Sequence, residues 1–301
     1  PDYTFIQSSA LHLDWMRDDY PMGRTGTNCG KSRDKSDWKS YYTFMNNQLT
    51  ELLTEYGPIG SIWFDGWWDH EEDSVPFDWQ LPEQYELIHR LQPACLVGNN
   101  HHGAPMEGED IQIFERDLPG EMTTGFAKSV AEVSRLPLET CETMNGMWGY
   151  KVTDNNYKSA ADIIRLLVKT SGKGANLLMN IGPQPNGELP AVALQRLKEL
   201  GEWTKVYGES IYGTDAGDLK PQPWGVTTMK DGELYVHVIA PECLVPGDGG
   251  NPVLYLPLSR KVKSVTEFIG GEKVEYRKTS NGIAVVLPKD IDVVDYVLVI
   301  Q

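Results

Sequence analysis

The stretch GSIWFDGWWDH, residues 60–70, decides how the rest of the chain is read. Its apolar start, with Ile59, forms a run ending at Phe64 that is too short for an ordinary helix and suits a buried strand. Asp65-Gly66 stands where that strand stops, among Trp63, Phe64, Trp67 and Trp68. In a parallel barrel the C-terminal ends of strands are where functional side chains gather. A carboxylate beside apolar rings is costly to bury ionised without a partner. Two readings stand: Asp65 serves as nucleophile, base or sugar ligand, or it makes a turn with Gly66, a common role for Asp-Gly.

On either side, strand-like and helix-like segments alternate. YTFIQSSALHL (3–13) reads as a strand running into a polar loop over 14–35. Residues 36–57 form an amphipathic helix that Ser36 can cap, with Tyr41, Met45, Leu49, Leu52, Leu53 and Tyr56 on one face and Gly57-Pro58 as its stop. A short helix opens at Pro82 and runs to Leu91. A strand follows at Cys95–Gly98, and another lies within 136–144. A helix spans 159–172, a strand 175–182 and a helix 190–207, the last striped by Leu194, Leu197, Leu200 and Trp203. This alternation predicts a parallel α/β sheet or barrel. Beyond Gly213 the helical period disappears. Short strands at 232–240, 252–258, 261–270, 272–279, 282–288 and 294–300 predict an all-β sandwich, with turns at Asp231-Gly232, Gly270-Gly271 and Asn281-Gly282. The expected domains are therefore 1–213 and 214–301, joined through GTDAGDLKPQP (213–223).

At 301 residues and 40% hydrophobic content, with no run of eighteen apolar residues, the chain reads as a soluble globular protein. PDYTFIQSS shows no signal peptide, which leaves the compartment open because a mature secreted protein looks the same. The net charge of −16 argues against nucleic acid or an anionic membrane as partner. Cys29, Cys95, Cys141 and Cys243 are too scattered for a zinc pattern or a disulfide framework. The nine tryptophans and fourteen tyrosines fit both core packing and stacking on sugar faces.

A second polar cluster lies in NNHHGAPMEGEDIQIFERDLPGE (99–121). Most of its carboxylates read as a solvated loop. Glu115 differs, because it follows Ile111, Ile113 and Phe114 and is held at a strand end. His101-His102 raises the question of a metal, but adjacent strand residues point apart and no third ligand is suitably spaced, so no metal is expected. There is no G-x-S-x-G elbow, P-loop or G-x-G-x-x-G, and no cofactor is expected. Two carboxylates with aromatic walls favour glycoside hydrolysis among enzyme classes.

Six pieces, in order, resemble the α-L-fucosidases of glycoside hydrolase family 29: HLDW (12–15), SIWFDGWW (61–68), FERDLPGE (114–121), ETCETMNGMWGY (139–150), GANLLMNIGPQPNGELP (174–190) and LGEWTKVYGESIYGT (200–214). The resemblance implies a (β/α)8-type (TIM-like) barrel followed by a C-terminal β-sandwich. It implies retaining removal of terminal α-linked L-fucose from glycans, with Asp65 as nucleophile and Glu115 as acid/base. It further implies sugar contacts at Trp63, His101, Trp148 and Trp15, and a secreted, periplasmic or lysosomal-type compartment.

Three departures accompany it. The chain starts near what would be the fourth barrel strand, so the barrel is expected to be partial, completed by a longer protein or another segment. Ile6-Gln7-Ser8 stands where relatives often place tyrosines, and the His101-His102 loop lacks an arginine that some relatives use. Two alternatives stay open: a non-catalytic carbohydrate-binding protein on this fold, and a hydrolase of a related sugar such as galactose.

Overall fold

The computed structural model describes residues 4–6, 17–20, 38–71, 73–74, 76–125, 129–291 and 294–301. Ser36 and Trp15, both singled out above, lie outside the described residues. The chain divides into two compact units, Pro1–Glu139 and Thr140–Gln301.

In the first unit four strands lie side by side in chain order, all parallel: β1 (Thr4–Ile6), β2 (Ile59–Phe64), β3 (Leu96–Asn99) and β4 (Ile111–Glu115). Helix α1 (Trp38–Glu55) leads into β2, and α2 (Leu81–Leu91) connects β2 to β3. A fifth strand, β5 (Leu138–Thr143), begins where this unit ends. Tyr41, Met45, Leu49 and Leu53 recur every fourth residue on α1 and are all buried. They share a core with Ile62 and Phe64 of β2, Tyr85 and Ile88 of α2, and Val97 of β3. Each such side chain contributes about 1.5–3 kcal/mol by leaving water. Tyr56, expected on the same face, is instead 63% exposed. The helix ends at Glu55, so Tyr56 leaves the helical register, and its hydroxyl donates to Glu51.

Gln92 ties the elements together at the far end of the sheet from the site. Its Oε1 accepts the Ile59 backbone N–H at 2.7 Å, and its Nε2 donates to the carbonyls of Leu53 and Gly57 at 2.8 and 2.9 Å. One side chain thereby satisfies the end of α1 and the start of β2, groups that helix and strand geometry leave open.

The second unit continues through β5, α3 (Ala160–Gly172), β6 (Ala175–Asn180) and α4 (Ala191–Tyr207). Ser159 and Asp162 form a reciprocal capping box at the start of α3. The expected apolar stripe of α4 is only half used. Leu200 and Trp203 pack with Ile164, Val168, Ile211, Val226 and Ile239, whereas Leu194 is 51% and Leu197 37% exposed. Packing follows the C-terminal half of α4, where α3 and the β segment meet it.

After α4 the chain is antiparallel. One sheet orders β12 (Val265–Glu267), β15 (Tyr296–Ile300), β9 (Glu233–Val238), β8 (Gly225–Lys230) and β7 (Asp215–Ala216). The other orders β10 (Val245–Pro246), β11 (Pro252–Leu256), β14 (Gly282–Val286) and β13 (Tyr276–Thr279). Leu234, Val236 and Leu298 of the first share a core with Leu254, Leu256 and Val285 of the second. The Asp231-Gly232 turn closes the β8–β9 hairpin as expected. Gly270-Gly271 also turns, and Thr266 and Lys273 pair antiparallel across it, while β12 pairs further with β15 and β13 with β14. Strand β8 escaped sequence reading because its buried residues include Thr227 and Thr228, polar by composition. Thr228 is satisfied internally, donating to the Ser210 carbonyl at 2.6 Å.

Gly172 closes α3 against β8, and a Cβ there would lie 2.4 Å from Cβ of Val226. Gly172→Ala is expected to destabilise the protein by about 1–3 kcal/mol through overpacking, read as a lower urea midpoint at unchanged slope.

Candidate active site

Strand alternation assigns the side chains to faces. Ile62, Phe64 and Val97 face the helices in the shared core, and Asn99 donates to the Tyr85 hydroxyl on α2 at 2.9 Å. Ser61, Trp63 and Asp65, with Gly98 and Asn100, therefore face the opposite side. A Cβ on Gly98 would meet Ile113 at 3.0 Å and Ile111 at 3.6 Å, which puts Ile111, Ile113 and Glu115 on that side too. The strands are level, with Phe64 opposite Asn99 and Asn99 opposite Gln112. Asp65, Asn100 and Glu115 thus emerge from one face at the C-terminal ends of three neighbouring parallel strands.

They meet there. The Asn100 Nδ2 donates to Asp65 Oδ1 at 3.3 Å and to Glu115 Oε2 at 2.8 Å. Both bonds run from one nitrogen, so these two carboxylate oxygens are separated by no more than about 6 Å. Asn100 is only 2% exposed, and its backbone N–H donates to the Phe64 carbonyl, which fixes it across β2 and β3. His102 approaches from the same side, its Nε2 3.0 Å from Glu115 Oε2. Burial pushes the His102 imidazole down, but the hydrogen bond and charge of Glu115, with Glu71 and Asp65 nearby, outweigh it and hold the group above its ordinary value. His102, Ile113, Phe114, Glu115, Asp117, Glu121 and Ala131 line a recess beside this carboxylate.

The other expected contacts are placed differently. Trp63 is 3% exposed, and its indole N–H donates to Glu139 Oε1 at 2.9 Å. Burial raises the Glu139 carboxyl above its ordinary range, and the Trp63 bond opposes that rise. His101 turns away from Glu115. Its Nε2 lies 3.0 Å from Glu109 Oε2, while its Nδ1 accepts the Gly103 backbone N–H at 3.1 Å. That pair of partners requires the proton on Nε2. Trp148 lies in the second unit, half-buried, its carbonyl accepting from Asn180 Nδ2 at 2.8 Å. Trp15 falls outside the described residues. Among the described residues no group of three or more His, Cys, Asp or Glu could hold a metal ion.

Sequence reasoning missed Asn100, His102 and Glu139 as members of the cluster. The signal for the first two was available: NNHH (99–102) follows β3, and the alternation that turns Asp65 to one face turns Asn100 there as well. The turn that then swings His102 rather than His101 onto Glu115 was not legible, because it depends on His102 adopting a left-handed backbone, φ 59°.

The family model described as Alpha-L-fucosidase matches residues 4–209. The plasma α-L-fucosidase of Homo sapiens is 29% identical over 192 residues, covering 53% of this chain and 41% of that protein. The tissue α-L-fucosidase of Mus musculus is 33% identical over 196 residues, covering 61% and 37%. Among solved structures, α-L-fucosidase isoenzyme 1 from Paenibacillus thiaminolyticus superposes with a TM-score of 0.74 at 28% identity, over 96% of this chain and 70% of that one. The chain thus spans less than half the length of these two curated relatives. The parallel segment is an α/β barrel-like domain of the kind those structures contain, with antiparallel sheets after it.

The Trp63–Glu139 pair yields a pH-dependent expectation. A carboxyl whose folded pKa is raised contributes most below its unfolded value, and that stability is lost as pH rises through the folded value. Trp63→Phe removes the donor that favours the ionised form. The variant is expected to lose about 1–3 kcal/mol at pH 7 and markedly less near pH 4, measured as the difference from wild type in denaturant unfolding at each pH.

Proposed function

The chain belongs to the α-L-fucosidase family, and on that premise we propose that it hydrolyses terminal α-linked L-fucose from glycans with retention of configuration. The observation that carries this reading is the shared amide of Asn100, which keeps Asp65 Oδ1 and Glu115 Oε2 within about 6 Å. Retaining glycosidases hold their carboxyl groups about 5–5.5 Å apart, and inverting ones about 6.5–9.5 Å to admit a water. An amide that bridges both groups directly leaves them close together, as the retaining arrangement requires.

In this reading Asp65 attacks the anomeric carbon and Glu115 protonates the departing oxygen. Glu115 then takes a proton from the water that releases fucose from Asp65. The two carboxylates are distinguished by their neighbours. Glu115 Oε2 receives donors from both Asn100 and His102, and of the two Asn100 bonds the one to Glu115 is the shorter. The fucose C6 methyl suits an apolar wall; burying one such group contributes roughly 0.8 kcal/mol, so it orients more than it binds. The relatives' names, plasma and tissue α-L-fucosidase, support a secreted or lysosomal setting. Among the described residues no helix is long and apolar enough to cross a membrane.

In the complete polypeptide, Asp65→Asn is expected to lose at least about a thousand-fold in kcat on an aryl fucoside, roughly 4 kcal/mol, with folding retained. Retained turnover would remove Asp65 from the role of nucleophile. Glu115→Ala is expected to suffer most on poor leaving groups and to be partly rescued by azide, trapped with retention as α-fucosyl azide. Glu121→Gln, in the same recess, serves as the comparison. Should Glu121→Gln instead show the leaving-group dependence, the acid/base is Glu121. Fucose binding with no turnover of any aryl glycoside would favour a carbohydrate-binding protein, and faster turnover of an aryl galactoside would favour the related sugar.

A further inference from the structure

The two oxygens of Glu115 are not equivalent. Oε2 carries both donors, Asn100 Nδ2 at 2.8 Å and His102 Nε2 at 3.0 Å. Among the described residues no hydrogen bond reaches Oε1. The residues on either side of this contact depart from ordinary backbone geometry: His102 has φ 59° and Arg116, directly after Glu115, has φ 58°. A left-handed residue other than glycine costs on the order of 1 kcal/mol and persists where surrounding structure enforces it. Here the departure of His102 directs its ring onto Glu115, while His101, one residue earlier, is spent on Glu109. The His102 side chain is 9% and the Glu115 side chain 10% exposed.

We propose that His102 is the positioning residue of the acid/base: it holds Glu115 by Oε2, leaves Oε1 as the atom that exchanges protons with substrate, and shares one exchangeable proton with the carboxylate. This rests on the reading of Glu115 given above. In the first step the pair's exchangeable proton, resident on Oε1 while the His102 Nε2–H donates to Oε2, passes to the glycosidic oxygen. That oxygen keeps the electron pair of the broken C1–O bond, and Asp65 takes the new bond to C1. In the second step a water bonds to C1 through its oxygen, the Asp65–C1 bond breaks, and the water's proton returns through Oε1. The charged groups facing His102 are Glu115 at the end of β4, Glu71 after the short helical turn Trp67–His70, and Asp65 at the end of β2; Asp117 and Glu121 line the same recess. Carboxylates on several sides raise the His102 imidazole above its ordinary value, so the coupled pair retains a proton to higher pH.

The test is the pH profile of His102→Gln, whose amide can still donate to Oε2 but does not titrate. On an unactivated fucoside at neutral pH its kcat/KM is expected to fall about 10–100-fold. The alkaline limb of the profile should move down by at least about one pH unit, while a dinitrophenyl fucoside, which needs no acid, is turned over nearly as by wild type. An alkaline limb unchanged from wild type overturns the proposal. If the variant does not fold, the wild-type protein answers by NMR of labelled histidine. His102 should titrate above its ordinary 6.5 and drop in Glu115→Gln; a titration indifferent to that substitution overturns the proposal as well. Glu115→Ala, run in parallel with azide, separates the two ideas. Its rescue with an unmoved limb in His102→Gln sinks only the role of His102, and absence of rescue sinks the reading of Glu115 itself.

Discussion

One primary amide, the side chain of Asn100, sets the geometry on which the candidate chemistry depends. Two carboxylates brought within about 6 Å repel each other, by about 1 kcal/mol or more depending on how far water screens them. A nitrogen with two hydrogens placed between them converts part of that repulsion into attraction, one hydrogen for each partner. Asn100 can do this because it is buried and because its own backbone is hydrogen-bonded to Phe64. Its placement follows from strands of level register, and that register follows from the apolar faces of β2 and β3 seating against α1 and α2. The path from hydrophobic patterning to site geometry is therefore short.

Much of this path was legible in the residues. The run Ile59–Phe64 announced its strand to the residue, because a continuous apolar stretch bounded by Pro58 and Asp65-Gly66 leaves little freedom. The helices expected at 36–57, 82–91, 159–172 and 190–207 are present as Trp38–Glu55, Leu81–Leu91, Ala160–Gly172 and Ala191–Tyr207, with Ser159 capping the third. The failures were of two physical kinds. Periodicity reports which side chains are able to pack, not which find a neighbour, so Leu194 and Leu197 were assigned to a buried stripe that the fold covers only at Leu200 and Trp203. Composition treats threonine as polar, so β8 was overlooked although its hydroxyls are satisfied inside the fold.

At the site, the residue types were easier to read than their directions. Asp65 and Glu115 could be nominated because each is an acid at the end of an apolar run. The choice between His101 and His102 could not be made from spacing, since a single left-handed residue decides it. Trp63 was expected as an open wall, and its ring does lie on the same face as Asp65. Its indole N–H, however, is engaged by a buried acid from β5 that no local pattern connects with it, 76 residues away in the chain.

Glu109 has a wider consequence. Its buried carboxylate receives the Tyr85 hydroxyl at 2.9 Å, the His101 ring at 3.0 Å and the Met106 backbone N–H at 3.0 Å. The segment between β3 and β4 is thereby organised from beneath, before any guest arrives. Ordering a loop on association consumes part of the interaction it provides. A segment already anchored in this way spares that loss, so association here should resemble the docking of a rigid surface. Its heat-capacity signature should reflect only the area the guest itself covers, without the additional term that folding upon binding brings.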